Sequence, residues 1–213
     1  FQSHTWLATW LAYHPAAHPD ILYARRGGAL TALLPLCRYA NGCAGFSWRV
    51  LRFAADNDSD YCDALSDPAA PGDLAILWDV LLAQADWHLL DLRYVPSGGH
   101  LGRLLGACRK MLVVDQQHQD IAPYLDLSQD WRVSLPKQQR DTILRRMRRL
   151  HERGAVSFHV AASPAEVAEM LEQLAALHVA RWQERGQTSL FRFEHYREWM
   201  GALGKALHRS GQL

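Results

Sequence analysis

The chain has 213 residues, 49% hydrophobic and 21% charged, with a net charge of +1 when His is neutral. That is globular composition, rich enough in apolar residues for a real core. So small a net charge excludes a global field that would draw the protein onto nucleic acid or an anionic membrane, and no apolar run approaches the roughly 20 residues that span a bilayer.

Cys37, Cys43, Cys62 and Cys108 form no CxxC pair and have no His at zinc-finger spacing. They read as structural thiols of a reduced, cytoplasmic chain without a metal site. No signal peptide is visible. The chain opens on Phe1 and stops at Ser210-Gly211-Gln212-Leu213, and both ends are expected to be cuts in a longer protein.

Trp6, Leu7, Trp10 and Leu11 recur at helical spacing behind Ser3, a candidate N-cap. The runs Ile21 to Arg25 and Leu30 to Arg38, joined at Gly27-Gly28, predict a β-hairpin. Trp48 to Phe53 predicts a strand, Asp56 to Asp60 a loop, Tyr61 to Leu65 a short strand, and Asp73 to Ala85 a helix. Trp87 to Val95 reads as a buried strand ended by Pro96-Ser97-Gly98-Gly99, with a short helix from Leu101 to Cys108. Met111 to Val114 and Ile121 to Leu127 are further strand candidates. Hairpins interleaved with helices argue for a mixed sheet rather than an all-parallel one.

The second half is helical. A long helix starts at Leu135-Pro136, carries an apolar stripe of Ile143, Met147 and Leu150, and ends at Gly154 in a left-handed cap. Val156 to Val160 predicts a strand. Ser163-Pro164-Ala165-Glu166 is a capping box that opens a helix running to about Arg185, with Gly186 beyond. Phe193 to His208 is the last helix.

Lys137, Arg140, Arg145, Arg146, Arg148, Arg149 and Arg153 crowd one helix, opposed by Asp141 and Glu152. With the apolar stripe turned inward, the face is either a solvated surface or a dock for phosphate, pyrophosphate or carboxylate groups or for a polyanion. Nucleic acid is disfavoured, since no stacking-aromatic module accompanies the patch. Asp56, Asp58, Asp60 and Asp63 surround Ser59 and Tyr61. They form a polar turn or, if the loop faces a cleft, offer Asp60 as a proton acceptor and Tyr61 as a polar contact. Ser134-Leu135-Pro136-Lys137 matches SxxK, but the companion motifs of that chemistry are missing. Residues 96–102 lie where a phosphate loop would sit, yet fit neither GxGxxG nor the P-loop, and read as a turn. His178, one turn before Trp182, lies on or beside the stripe of Val167, Met170, Leu171, Leu174 and Leu177 expected to be the core face of that helix, and reads first as a hydrogen-bonded core histidine.

Taken in order, these stretches resemble a family. Phe1-Gln2-Ser3 with Trp6-Leu7 is similar to an FQSxxWL start, and Leu34-Pro35-Leu36 to an LPL strand. Leu51-Arg52-Phe53 with Ser59-Asp60-Tyr61 is similar to an LRF…SDY segment. Residues 135–154 resemble LSKKxRxxLRRxxRRLxxxG, and His178, Arg181-Trp182 and Gly186 resemble LHxxRWxxRG. These are marks of the CelD/BcsL-type (BioF-like) acetyltransferases, which resemble the Fem peptidyltransferases.

The resemblance implies an α/β, GNAT-like mixed sheet flanked by helices. It implies an N-terminal domain over 1–130, and over 131–213 the opening of a second GNAT domain whose remainder lies outside the chain. The implied function is acyl or aminoacyl transfer from acyl-CoA, held mainly by that second domain, to a small or glycan-precursor acceptor. Asp60 would be the catalytic carboxylate. Tyr61, Lys137, Arg140, Arg145, Arg148, His178 and Trp182 would bind substrate. The GNAT pyrophosphate loop, Q/R-x-x-G-x-G/A, is not found in the chain. The alternative is a non-catalytic module that docks an anionic ligand through the basic helix.

Overall fold

The structure is a computed structural model that describes residues 2–43, 45–107, 121, 123–128 and 130–213. The chain divides into two compact units, Phe1–Val113 with Ala162–Leu213, and Val114–Ala161.

The first unit is built on a mixed sheet of β1 (His18–Arg26), β2 (Ala29–Cys43), β3 (Phe46–Phe53), β4 (Leu65–Ser66) and β5 (Leu89–Asp91). The hairpin forms as expected. Gly27 and Gly28 both take positive φ, 55° and 85°, which a tight two-residue turn between twisted strands demands. β1 and β3 pair antiparallel with β2, from His18↔Arg38 to Arg26↔Ala29 and from Leu36↔Phe53 to Cys43↔Phe46. β4 takes over beside β2 at Ala32 and Leu33, where β3 has left the sheet. β5 lies parallel to β3, Leu51 opposite Leu90. The chain between them supplies α2 (Asp73–Ala83) as the crossover that a parallel pair requires.

β2 is the central strand, and its alternation serves two cores. Ala32, Leu34 and Leu36 join Leu51 and Phe53 against Leu77, Trp78 and Leu81 of α2 and Leu101 of α3 (His100–Ala107). Cys37, on the opposite face, joins Leu7 and Trp10 of α1 (His4–Tyr13) and Trp199 and Leu203 of α7 (Glu194–Arg209). This unit is therefore three layers: α2 and α3, the sheet, then α1 and α7. The seam between α1 and α7 is aromatic. Trp199 meets Trp6, His14 and Tyr196 edge-on, with ring centroids 5.9, 5.5 and 5.4 Å apart.

The caps act as their sequences require. Ser3 Oγ accepts the Trp6 N–H at 3.2 Å. Ser163 Oγ accepts from Glu166 N at 3.2 Å, while the Glu166 carboxylate reaches back to Ala162 N at 2.9 Å, opening α6 (Pro164–Glu184). Gly186, at φ 67°, closes α6 in a Schellman motif: Gln187 N bonds Trp182 O at 2.9 Å and Gly186 N bonds Gln183 O at 3.0 Å.

The second unit contains α4 (Trp131–Ser134) and α5 (Lys137–His151). Several expectations are corrected. Tyr61 to Leu65 is not a strand, since only Leu65–Ser66 pairs, and the strand expected over Trp87 to Val95 is confined to Leu89–Asp91. Residues 155–162 form no strand, although Val156, Phe158 and Val160 alternate correctly; a strand needs a neighbour, and no described strand lies beside them. Ile121 and residues 123–127 are likewise not strand. Gly154 is nearly extended, at φ 158°, rather than left-handed. The stripe of α5 is not turned inward: no α5 residue is buried, and Met147 and Leu150 are exposed. The strand expected over Met111 to Val114, and Cys108, lie outside the described residues.

Candidate functional site

At about 100° per residue, Lys137, Asp141, Arg145 and Arg148 of α5 fall on one face, with Arg149 beside them. Lys137 and Arg145 lie with Gln138, Asp141 and Thr142 along one open stretch of this helix, where no residue is buried. The helix begins after Pro136 with no side-chain cap, so first-turn N–H groups and the positive end of the dipole lie at the Lys137 end. Arg140 is not part of this face. It lies at the flank of the face, about 60° from Lys137, and donates to the Arg132 carbonyl at 2.9 Å. Among the described residues no carboxylate pairs with Lys137, Arg145 or Arg148. SxxK chemistry is excluded by placement, because Ser134 ends α4 and Lys137 begins α5.

The acidic loop follows β3 in the first unit. Ala55, buried, holds φ at 61°, a conformation that costs a β-carbon-bearing residue about 1–2 kcal/mol. This turn drives Asp56 inward. Its carboxylate meets Arg52 Nη2 at 2.7 Å as an ion pair rather than an aligned hydrogen bond. Burial pushes the Asp56 carboxyl above the usual range, with Arg52 opposing. Arg52 also donates to Asn57 Oδ1 at 3.1 Å and lies 5.6 Å from the Tyr39 ring. Asp58 accepts from the Trp10 indole at 2.8 Å, tying the loop to α1. Asp63 receives the N–H groups of His100 and Leu101 at 2.6 and 2.7 Å, and so caps α3 from a distance.

Four aspartates thus hold three structural posts and one exposed one. Asp60 is the carboxylate left in solvent, next to the exposed Tyr61. The pairing of half-buried Arg52 with buried Asp56 was not anticipated. Its sequence trace is the i, i+4 spacing across the end of a strand, which carries no signal without the turn at Ala55. Burial also pushes the Cys37 and Cys62 thiols up to about 12, which leaves them inert as nucleophiles.

His178 and Trp182 come together on α6 as the spacing predicts. The Trp182 indole donates to His178 Nε2 at 2.7 Å, so His178 Nδ1 carries the proton and donates to Ser189 Oγ at 2.8 Å. Ser189 is buried and also accepts from Phe191 N at 3.1 Å. A ring whose acceptor nitrogen is already engaged cannot deprotonate Ser189. The trio fixes the connection between α6 and α7 and is no nucleophilic dyad. The basic face belongs to one unit, and the acidic loop and the His178 trio to the other.

Residues 137–213, from the first residue of α5 through α6 and α7, match the family model described as the acetyltransferase (GNAT) domain. No curated protein and no solved structure matches the chain. The chain is therefore a mixed α/β protein carrying a segment similar to a GNAT acetyltransferase domain, the class of fold that serves acyl transfer. Among the described residues no helix is long and apolar enough to cross a membrane, and no three His, Cys, Asp or Glu side chains are grouped as metal ligands.

An acyl-CoA donor brings phosphates that need cations or free helix N–H groups. α3, which follows the glycine-rich turn, does not fit, because Asp63 already occupies its first N–H groups. The uncapped start of α5, with Lys137 and Arg145, fits the charge.

Proposed function

We propose that the protein acts in acyl or aminoacyl transfer from an acyl-CoA to the amine or hydroxyl of a small or glycan-precursor acceptor, in the manner of the CelD/BcsL-type enzymes and their Fem relatives. The observation that carries this reading is that the match to the GNAT acetyltransferase domain opens at Lys137, on the helix where Lys137, Arg145 and Arg148 have no carboxylate partner among the described residues. The donor supplies an activated acyl carbonyl. Lys137, Arg145 and Arg148 hold its anionic part by charge-assisted contacts, with Arg140 bracing α4 on α5. Asp60 takes the proton of the acceptor, beside Tyr61. His178 and Trp182 serve the acceptor region through the order they impose on α6. The proposal includes a division near residue 130 between an N-terminal GNAT-like domain and the start of a second, and a cytoplasmic setting supported by the free Cys37, Cys43 and Cys62.

The test is release of free CoA thiol from acetyl-CoA by the protein with a panel of amino sugars and amino acids. Acceptor-dependent release that falls at least about a hundredfold in Asp60→Asn supports the reading. Release that no acceptor stimulates refutes it. The second reading, a docking module for anions, is favoured by the same cations and predicts binding without thiol release.

A further inference from the structure

In the first unit, α6 and α7 touch and then part. At Gly204 they are in contact: a β-carbon there would lie 2.9 Å from Val167 Cγ1 and 3.0 Å from Leu171 Cδ1. Three residues earlier, at Gly201, a β-carbon would meet nothing within 4 Å. Around Gly201 the helices open a slot of about 150 Å³. Its floor is apolar, made by Leu171, Ala175, Phe191 and Met200, and it is kept open by the small side chains of Ala168 and Gly201.

The mouth is charged. Arg197 and Lys205 line it from α7 and Glu172 from α6. Arg197 is steadied by the Phe191 carbonyl at 3.4 Å. Among the described residues neither cation has an ion-pair partner. Two cations against one carboxylate leave the rim positive. The slot does not belong to the exposed stripe of α6 that carries Leu174 and Leu177, which lies on another side of the helix.

We infer that this slot binds a short-chain carboxylate of about six carbons, its chain along Leu171, Ala175 and Met200 and its head group at the cationic rim that Arg197 and Lys205 supply. Volume sets the size: a dry cavity of roughly 150 Å³ holds a molecule the size of benzene. Charge sets the head group, because the Arg197 guanidinium and the Lys205 ammonium, about two turns apart along the rim, each attract a carboxylate in water-accessible surroundings. The site is independent of the acyl-donor reading, since it uses neither α5 nor the acidic loop.

Hexanoate is titrated into the 213-residue chain by calorimetry, with 1-hexanol and acetate as probes lacking the charge or the chain. Saturable hexanoate binding is expected, about tenfold or more tighter than either control. Gly201→Leu, which fills the slot, should abolish it. Arg197→Gln with Lys205→Gln should reduce hexanoate to the affinity of hexanol while leaving hexanol unchanged. The double variant alters only exposed side chains and keeps the test valid if Gly201→Leu fails to fold. Absence of saturable hexanoate binding, or binding unmoved in the folded double variant, overturns the inference.

Discussion

Replacing Trp199 with alanine tests whether α7 seats on α1 through the aromatic seam. Trp199 is 1% exposed and packs three rings edge-on. Truncating a buried aromatic to alanine costs about 3–5 kcal/mol, and each edge-to-face partner contributes roughly 0.5–1.5 kcal/mol beyond buried area. One effect opposes these. The indole Nε1 is buried without an acceptor among the described residues, and removing it returns about 1–3 kcal/mol. The balance is a loss of about 4 kcal/mol for Trp199→Ala. Trp199→Phe keeps most of the apolar area and deletes the stranded N–H, so it should cost about 1 kcal/mol or less. Urea unfolding followed by circular dichroism reads both. With a slope near 2 kcal/mol per molar, the alanine midpoint falls by about 2 M. A loss under about 1 kcal/mol for alanine, or equal losses for alanine and phenylalanine, would refute the packing described here.

Three further outcomes follow from the same geometry. Gly204→Val should destabilise by about 1–3 kcal/mol in urea, because its side chain enters the space of Val167 and Leu171, whereas Gly201→Ala should be near neutral or stabilising, as glycine in a helix interior costs about 1 kcal/mol. Hydrogen bonds from Arg26 and Thr31 hold the Asp73 carboxyl down to about 2, from an ordinary value near 3.8. The stability it contributes is therefore complete above pH 3.8 and lost as pH falls toward 2, and thermal melts across that window should show a shallower acid decline in Asp73→Asn. His178→Phe should leave the Trp182 indole without its acceptor and Ser189 with only the Phe191 N–H as donor, lowering stability by about 1–3 kcal/mol in the same urea assay, with no effect on any thiol-release activity beyond that of lost fold.

Much of the fold was legible in the chain. Ser3, Ser163 and Gly186 mark helix ends because capping is a local affair of a few residues, and Gly27-Gly28 marks the hairpin because only positive φ closes it. Val156 to Val160 shows the limit of local pattern. Its alternation is that of a strand, but pairing is a property of a neighbour that the segment cannot encode. The α5 stripe failed for the same reason: Ile143, Met147 and Leu150 declare an apolar face without saying what meets it. Around the acidic loop, composition could name four aspartates but could not sort them. Ala55 turning left-handed sends Asp56 inward, the reach of the Trp10 indole claims Asp58, and the bare start of α3 claims Asp63, all over separations invisible to spacing. The His178–Trp182 pair was legible at i, i+4; Ser189, its third member, was not.

Calorimetric titration of acetyl-CoA into the protein at low salt addresses the acyl-donor claim most directly. Saturable binding is predicted, weakened about a hundredfold in the triple variant Lys137→Ala, Arg145→Ala, Arg148→Ala, at roughly 1 kcal/mol for each exposed cation. Absence of saturable heat, or equal affinity in the triple variant, would contradict the assignment of this helix face to the donor.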